Sequence, residues 1–170
     1  MNKKVSKIVF ISIVAALYAL LSVVFAPLSF GMVQIRVSET MSLLPMFYPF
    51  SILGLTIGCI ISNVMGVFMG VNPIGFVDAV FGSIATLIAG YLSYRLRNVR
   101  LKGFPLLSVL MPILINGLIV GLELTLVFNQ GWGSEYFITM FTYVSLGQVI
   151  PCVLSYYLMR KIYRMKIIKL

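Results

Sequence analysis

Long apolar blocks occupy residues 8–30, 40–70, 74–94, 103–128 and 136–159, with short polar stretches between them. An α-helix needs about 20 mostly apolar residues to cross a hydrocarbon core. Block 40–70 is too long for one crossing and short for two. Proline ends a helix by removing a donor and clashing with the preceding turn. Pro45 and Pro49 therefore predict a tight turn, with a short, tilted or partly embedded second helix near Thr40–Tyr48 and a third helix beyond it. Between the first two blocks, Gly31–Glu39 carries Gln34, Arg36 and Glu39, and Arg36 is the only basic residue between Lys7 and Arg95. A charged pair at that point belongs at a membrane surface or in a protein-lined cavity.

Composition fixes the solvent. Of the 170 residues, 61% are hydrophobic and 10% charged, and the mean hydropathy is +1.07. Soluble domains carry about 25% charged residues, so the expectation is an all-α integral membrane protein forming one domain over residues 1–170. The basic N-terminus leads into an apolar run that no small-residue cleavage site ends, which predicts a retained first helix rather than a signal peptide.

The net charge of +9 resides in three clusters: Lys3, Lys4 and Lys7; Arg95, Arg97, Arg100 and Lys102; and Arg160, Lys161, Arg164, Lys166 and Lys169. This is the pattern of cytoplasmic membrane flanks, not of a nucleic-acid-binding face. If all three clusters are cytoplasmic, an even number of crossings separates Lys7 from Arg95, so block 40–70 must cross twice. The result is six transmembrane helices with cytoplasmic N- and C-termini. Arg36 is then the one basic residue of thirteen on the outer side, which makes it a functional candidate.

Small residues let helices approach one another in lipid. Ser12, Ala15, Ala19, Ser22 and Ala26 share one face of the first helix. Gly54, Gly58, Ser62, Gly66 and Gly70 recur every fourth residue in the third. Gly75, Ala79, Gly82, Ala85, Ala89 and Ser93 do the same in the fourth. The last two stripes are expected to pack internally, and the first fits either a neighbouring helix or a partner protein.

The acidic residues are Glu39, Asp78, Glu123 and Glu135, all on the outer half in this topology. A charge within the bilayer costs at least about 2.5 kcal/mol, so Glu123, between Leu122 and Leu124, should face a cavity or a partner. Arg36 and Glu39 at i, i+3 could form a surface ion pair. Glu135 and Asp78 suit helix N-termini, where the macrodipole favours negative charge. Asn63, Asn72, Asn116, Gln148 and Trp132 complete the polar set, with Trp132 between Gly131 and Gly133 able to close over a ligand or to anchor at the interface. Cys59 and Cys152 show no metal-ligand spacing and the chain has no His, so no metal site is expected. A Gly-x-x-x-x-Gly-Lys-Ser/Thr loop is missing from the sequence, as is a nucleophile elbow. The pattern speaks for capture of a small solute, not for an enzyme or a cofactor.

Several separated motifs resemble the queuosine-precursor (QueT-type) membrane proteins: Val33–Glu39 followed by Leu43-Leu44-Pro45, Gly54–Cys59 with Asn63, Asp78–Leu87, and Asn116–Glu123. These proteins are substrate-binding S components of energy-coupling-factor (ECF) transporters. The resemblance implies a six-helix S-component fold in a bacterial plasma membrane. It also implies docking onto a T component driven by two cytoplasmic ATPases. S components dock through an AxxxA-like stretch of the first helix, which Ala15 and Ala19 match, with Ser12 and Ser22 on the same stripe.

The implied cargo is a pre-queuosine deazaguanine base or queuine. A guanine-type edge offers adjacent N–H donors that one carboxylate accepts bidentately, and Glu123 is the choice for this. A cationic aminomethyl group would want a second carboxylate, Glu39 or Asp78. Asn116 and Gln148 supply mixed donors and acceptors; Trp132, Tyr136 and Tyr143 offer aromatic faces. Arg36 is expected to organise its loop through Glu39. The alternatives are an S component for another small solute or vitamin, and a standalone secondary transporter, against which stands the lack of a convincing inverted repeat.

Overall fold

The computed structural model describes residues 3–30, 35–128 and 134–166. Helices dominate: α1 Lys3–Val24, the short α2 Ala26–Ser29, α3 Ser51–Phe68, α4 Phe76–Arg95, α5 Leu106–Phe128 and α6 Ser134–Arg164. Five of them, all but α2, are long and apolar enough to cross a membrane. Large apolar side chains stand exposed along all five, among them Ile13, Leu53, Val80, Leu118 and Ile150. In lipid these are the solvated positions, and burial inside the bundle falls to small and polar residues. The protein is therefore a multi-pass membrane protein.

Glycines set the closest helix contacts. A Cβ added at Gly54 would lie 2.8 Å from the Val14 side chain, and one at Gly58 would lie 2.7 Å from the Ala15 carbonyl oxygen. Gly66 meets the Phe30 ring in the same way. Rising numbers on both helices show that α1 and α3 run parallel. Gly54, Gly58 and Gly66 of the α3 stripe pack internally, as their spacing predicts, against α1 and the Phe30 ring, whereas Gly70 lies past the helix in open space; Ala15, Ala19 and Ser22 of α1 are all buried. Of the four residues expected to dock a partner protein, Ala15 lies against Gly58 of α3, Ser22 is bonded to Ser38, Ala19 is buried and Ser12 is exposed. The remaining neighbours are antiparallel. Ser93 and Ser108 exchange hydroxyl-to-carbonyl hydrogen bonds at 2.9 and 3.0 Å between α4 and α5, and Gly121 lets α5 approach the Phe141 backbone of α6.

Parallel α1 and α3 require the chain between them to come back. It does so without the α-helix expected near Thr40–Tyr48. Two 3-10 turns, Val37–Met41 and Leu44–Met46, occupy this stretch. The segment descends along α1: Ser38 meets Ser22 at 2.7 Å, Glu39 meets Tyr18 at 2.6 Å, the Tyr48 ring lies 5.5 Å from that of Phe10, and Phe50 lies beneath the Lys7 ammonium. Pro45 restricts helical hydrogen bonding from within, and it packs against Gly90 of α4. Irregular backbone is tolerated at membrane depth only when protein surrounds it. Here α1, α3, α4 and α6 do so, the Leu43 amide donates to Ser155 of α6 at 3.0 Å, and the 3-10 turns satisfy the amides of Glu39, Ser42, Met46 and Phe47.

These directions bring the N-termini of α1, α3 and α5 to one end, together with the C-termini of α4 and α6. The described residues of all three basic clusters share that end. At the opposite end lie the start of α4 and the finish of α5, and there the buried charges gather.

Candidate functional site

Asp78 lies in the first turn of α4, where the helix macrodipole favours a carboxylate. Gly75, at φ +75°, makes the turn that starts the helix, a left-handed conformation open to glycine. The Asp78 side chain is fully buried and well supplied with donors. Arg36 Nη2 donates to both of its oxygens at 2.9 and 2.8 Å, and Asn72 Nδ2 adds a bond of 3.0 Å. Asn63 Nδ2, from α3, donates to the Asp78 carbonyl at 2.8 Å. Gly82 leaves room for this knot, since a Cβ there would lie 2.9 Å from Asp78 Oδ1 and 3.1 Å from Asn63 Nδ2.

This pairing corrects one expectation. Arg36 bonds Asp78, forty-two residues away, and not Glu39. The 3-10 turn directs Glu39 toward α1, where it accepts a 2.6 Å hydrogen bond from the Tyr18 hydroxyl. Both residues are buried, Arg36 at 4% exposure and Glu39 at 3%, so neither belongs to a surface ion pair. Asp78, spoken for by Arg36 and Asn72, is no free counter-ion for a ligand.

Glu123 is the opposite case. Asp78 lies fifteen residues before Ser93 along α4, and Glu123 lies fifteen after Ser108 along the antiparallel α5. At 1.5 Å of rise per residue both stand about 22 Å from the serine pair, at one depth. Yet its side chain, at 0% exposure, has no hydrogen-bond partner among the described residues for either carboxylate oxygen. Three more polar atoms are buried and unpartnered among the described residues: Arg36 Nε, Asn63 Oδ1 and Ser29 Oγ. Unsatisfied groups of this kind are rare in native interiors, because each carries its desolvation cost uncompensated.

Asn116 and Gln148 are buried. Asn116 sits seven residues before Glu123, on the same face of α5 and about 10 Å deeper. Gln148 of α6 is in contact with the Cys152 thiol at 3.8 Å. Tyr136 is half-buried against the cluster of Ile74, Ala85, Val120, Leu124, Met140 and Val144. Tyr143 does not join it: at 44% exposure it stands on the outer surface of α6, because the inward positions there are Met140, Val144 and Gly147. Trp132, like Gln34, lies outside the described residues.

A family model described as "QueT transporter" matches residues 8–164. The chain belongs to the QueT transporter family. The family is one of transporters rather than enzymes. A curated relative from Lactococcus lactis subsp. cremoris (strain MG1363), the "Queuosine precursor transporter QueT", is 37% identical over 89 residues, covering 51% of this chain and 48% of the relative. The match thus spans about half of that relative's length. No solved structure matches.

Within this QueT-family chain, sequence reasoning placed Asn63 and Asn72 in the polar set without finding their partner Asp78, and it missed Tyr18. Asn63 and Asn72 carry a signal, an amide in or beside an apolar helix. Tyr18 carries none, since an aromatic residue in an apolar run reads as packing.

Proposed function

We propose that this protein binds a queuosine precursor, a deazaguanine base, as the substrate-capturing subunit of an importer in a bacterial plasma membrane. The observation that carries the reading is Glu123: a carboxylate fully enclosed by the bundle with nothing bonded to it. A guanine-type ring presents two adjacent N–H donors to such a group. Arg36 Nε–H is a spare donor for the ring carbonyl, and Asn63 Oδ1 a spare acceptor for a further N–H. The relative's printed name supports the choice of cargo.

The chain makes six crossings in this reading, five as helices and one as the 3-10 segment threaded among α1, α3, α4 and α6. Its basic end, by the preference of Lys and Arg for the cytoplasmic flank, faces inward, and the Glu123 end faces outward to collect substrate. The 170 residues hold no phosphate-binding loop, so ATP-driven delivery falls to a T component and two ATPase subunits, as in ECF transporters. The face of α1 open to such a partner carries Ser12, the exposed member of the stripe, and Ala16, one position off it.

Calorimetric titration of the detergent-purified protein with 7-aminomethyl-7-deazaguanine, with guanine and riboflavin as controls, tests the proposal. Selective, saturable binding of the deazaguanine is expected. A folded sample that binds none of the deazaguanines, or prefers riboflavin, overturns it.

A further inference from the structure

The lipid-facing side of α6 changes character along its length. Leu146, Ile150, Leu154, Tyr157, Lys161 and Arg164 follow one another at spacings of four, four, three, four and three, which places them on one face of the helix. All six are exposed. From Leu146 to Tyr157 this face is apolar over about 16 Å, one leaflet's share of a hydrocarbon core of about 30 Å. Tyr157 then stands where aromatic residues collect, at the level of the headgroups. Beyond it opens a hollow of about 320 Å³, lined by Tyr157, Arg160, Lys161, Arg164 and Met165.

One cation of this hollow is held in place. Arg160 Nη1 donates to the Tyr156 hydroxyl at 3.3 Å, and its guanidinium lies 5.7 Å from the centre of the same ring. The planar fork has further N–H groups, in the geometry that suits a phosphate. Phe104 packs against Tyr156 and Tyr157, with ring centres 5.0 and 6.5 Å apart, so the loop that carries the exposed Arg100 and Lys102 borders the same face.

No acidic side chain balances these charges. Glu39, Asp78 and Glu123 are enclosed by the bundle, and Glu135 starts α6, about 37 Å from Arg160 by helix rise. The carboxyl end of the helix dipole amounts to only about half a negative charge, too little for three cations.

We propose that this notch binds the headgroup phosphate of an anionic glycerophospholipid, with the acyl chains lying along Leu146, Ile150 and Leu154. A free phosphate would need the cations alone. The apolar face that leads into them, one leaflet long, fits a lipid. The proposal goes beyond the substrate reading and is independent of what binds near Glu123.

The test counts lipid bound to the delipidated full chain by native mass spectrometry, during titration with phosphatidylglycerol or with phosphatidylcholine of the same acyl chains. Preferential binding of phosphatidylglycerol is expected. A cation near the headgroups contributes about fivefold in affinity. Arg160→Gln/Lys161→Gln/Arg164→Gln should therefore lose at least about tenfold, while the charge-matched Lys3→Gln/Lys4→Gln/Lys7→Gln stays near the wild type. If the first of these does not fold, Arg164→Gln, at an exposed position, should still lose severalfold. Equal binding of the two lipids overturns the proposal. So does an equal loss in both triple variants, which would show diffuse attraction in place of a site. Displacement of the lipid by equimolar inorganic phosphate would show a phosphate site and not a lipid site. Unchanged lipid binding in the α6 variant, with failed assembly onto the ATPase subunits, would assign the cations to a protein partner and overturn it as well.

Discussion

Arg36 Nη2 donates to both oxygens of Asp78, at 2.9 and 2.8 Å, across forty-two residues of sequence. The bond ties the returning 3-10 segment to the start of α4, and both side chains are buried. Removing one member of such a pair strands the other charge, at a cost of about 3–5 kcal/mol.

Arg36→Met alone and Asp78→Leu alone should therefore each lower the thermal midpoint in detergent sharply. The double variant should recover much of that loss, because well-packed apolar residues often replace a buried pair at little cost. A double variant no more stable than the worse single one would show that the pair does not act as a unit.

Tyr18→Phe removes the hydroxyl that serves Glu39. A buried acceptor left short of a donor costs about 1–3 kcal/mol, so a moderate fall in thermal stability is expected. An unchanged melting curve would mean that water or another group supplies Glu39.

Two neighbouring alanines on α1 should behave differently. Ala15 packs against α3 and its carbonyl oxygen lies 2.7 Å from where a Gly58 Cβ would be, so Ala15→Trp should prevent stable packing. Ala16 is exposed, and Ala16→Trp should leave the fold and ligand binding intact while blocking uptake in cells that carry the ATPase subunits. If Ala15→Trp were tolerated, the α1–α3 contact would be other than described.

Much of this organisation is legible in the sequence. Apolar blocks and charge clusters are coarse features of composition, and they indicate the membrane class and a bundle whose basic flanks share one end. The small-residue stripe of α3 marks a close contact because spacing of four leaves one smooth face. What it cannot tell is which helix fills that face, and so the α1 stripe, Ala15 and Ala19, reads equally as a partner surface. Helix propensity also misleads over 40–48. That stretch is apolar enough to look helical, but Pro45 and tertiary contacts with Ser155, Phe10 and Gly90 hold it in 3-10 turns.

Among the site residues, Glu123 stands out because an acid between leucines has no bland explanation. Arg36 and Glu39 stand out too, but their spacing suggests the wrong bond. An i, i+3 pair presumes a regular helix with both side chains on its surface. The partners that matter, Asp78 and Tyr18, come from distant elements, and nothing local encodes them.

The Ser93–Ser108 pair gives a control. It is buried and bonded in both directions, yet lies about 22 Å from Glu123 by helix rise. Ser93→Ala should cost about 0.5–1.5 kcal/mol of stability with no change in ligand affinity. A large loss of affinity would place the ligand deeper in the bundle than Glu123.

The most direct test of the Glu123 site is the affinity of Glu123→Gln for 7-aminomethyl-7-deazaguanine, titrated beside the wild type with both shown to be folded. Exchange of one acceptor oxygen for a donor facing N–H groups should cost at least 1–3 kcal/mol, which is about 5- to 150-fold in Kd. Wild-type affinity in the variant would contradict the site, because a carboxylate that binds the base cannot be replaced without effect.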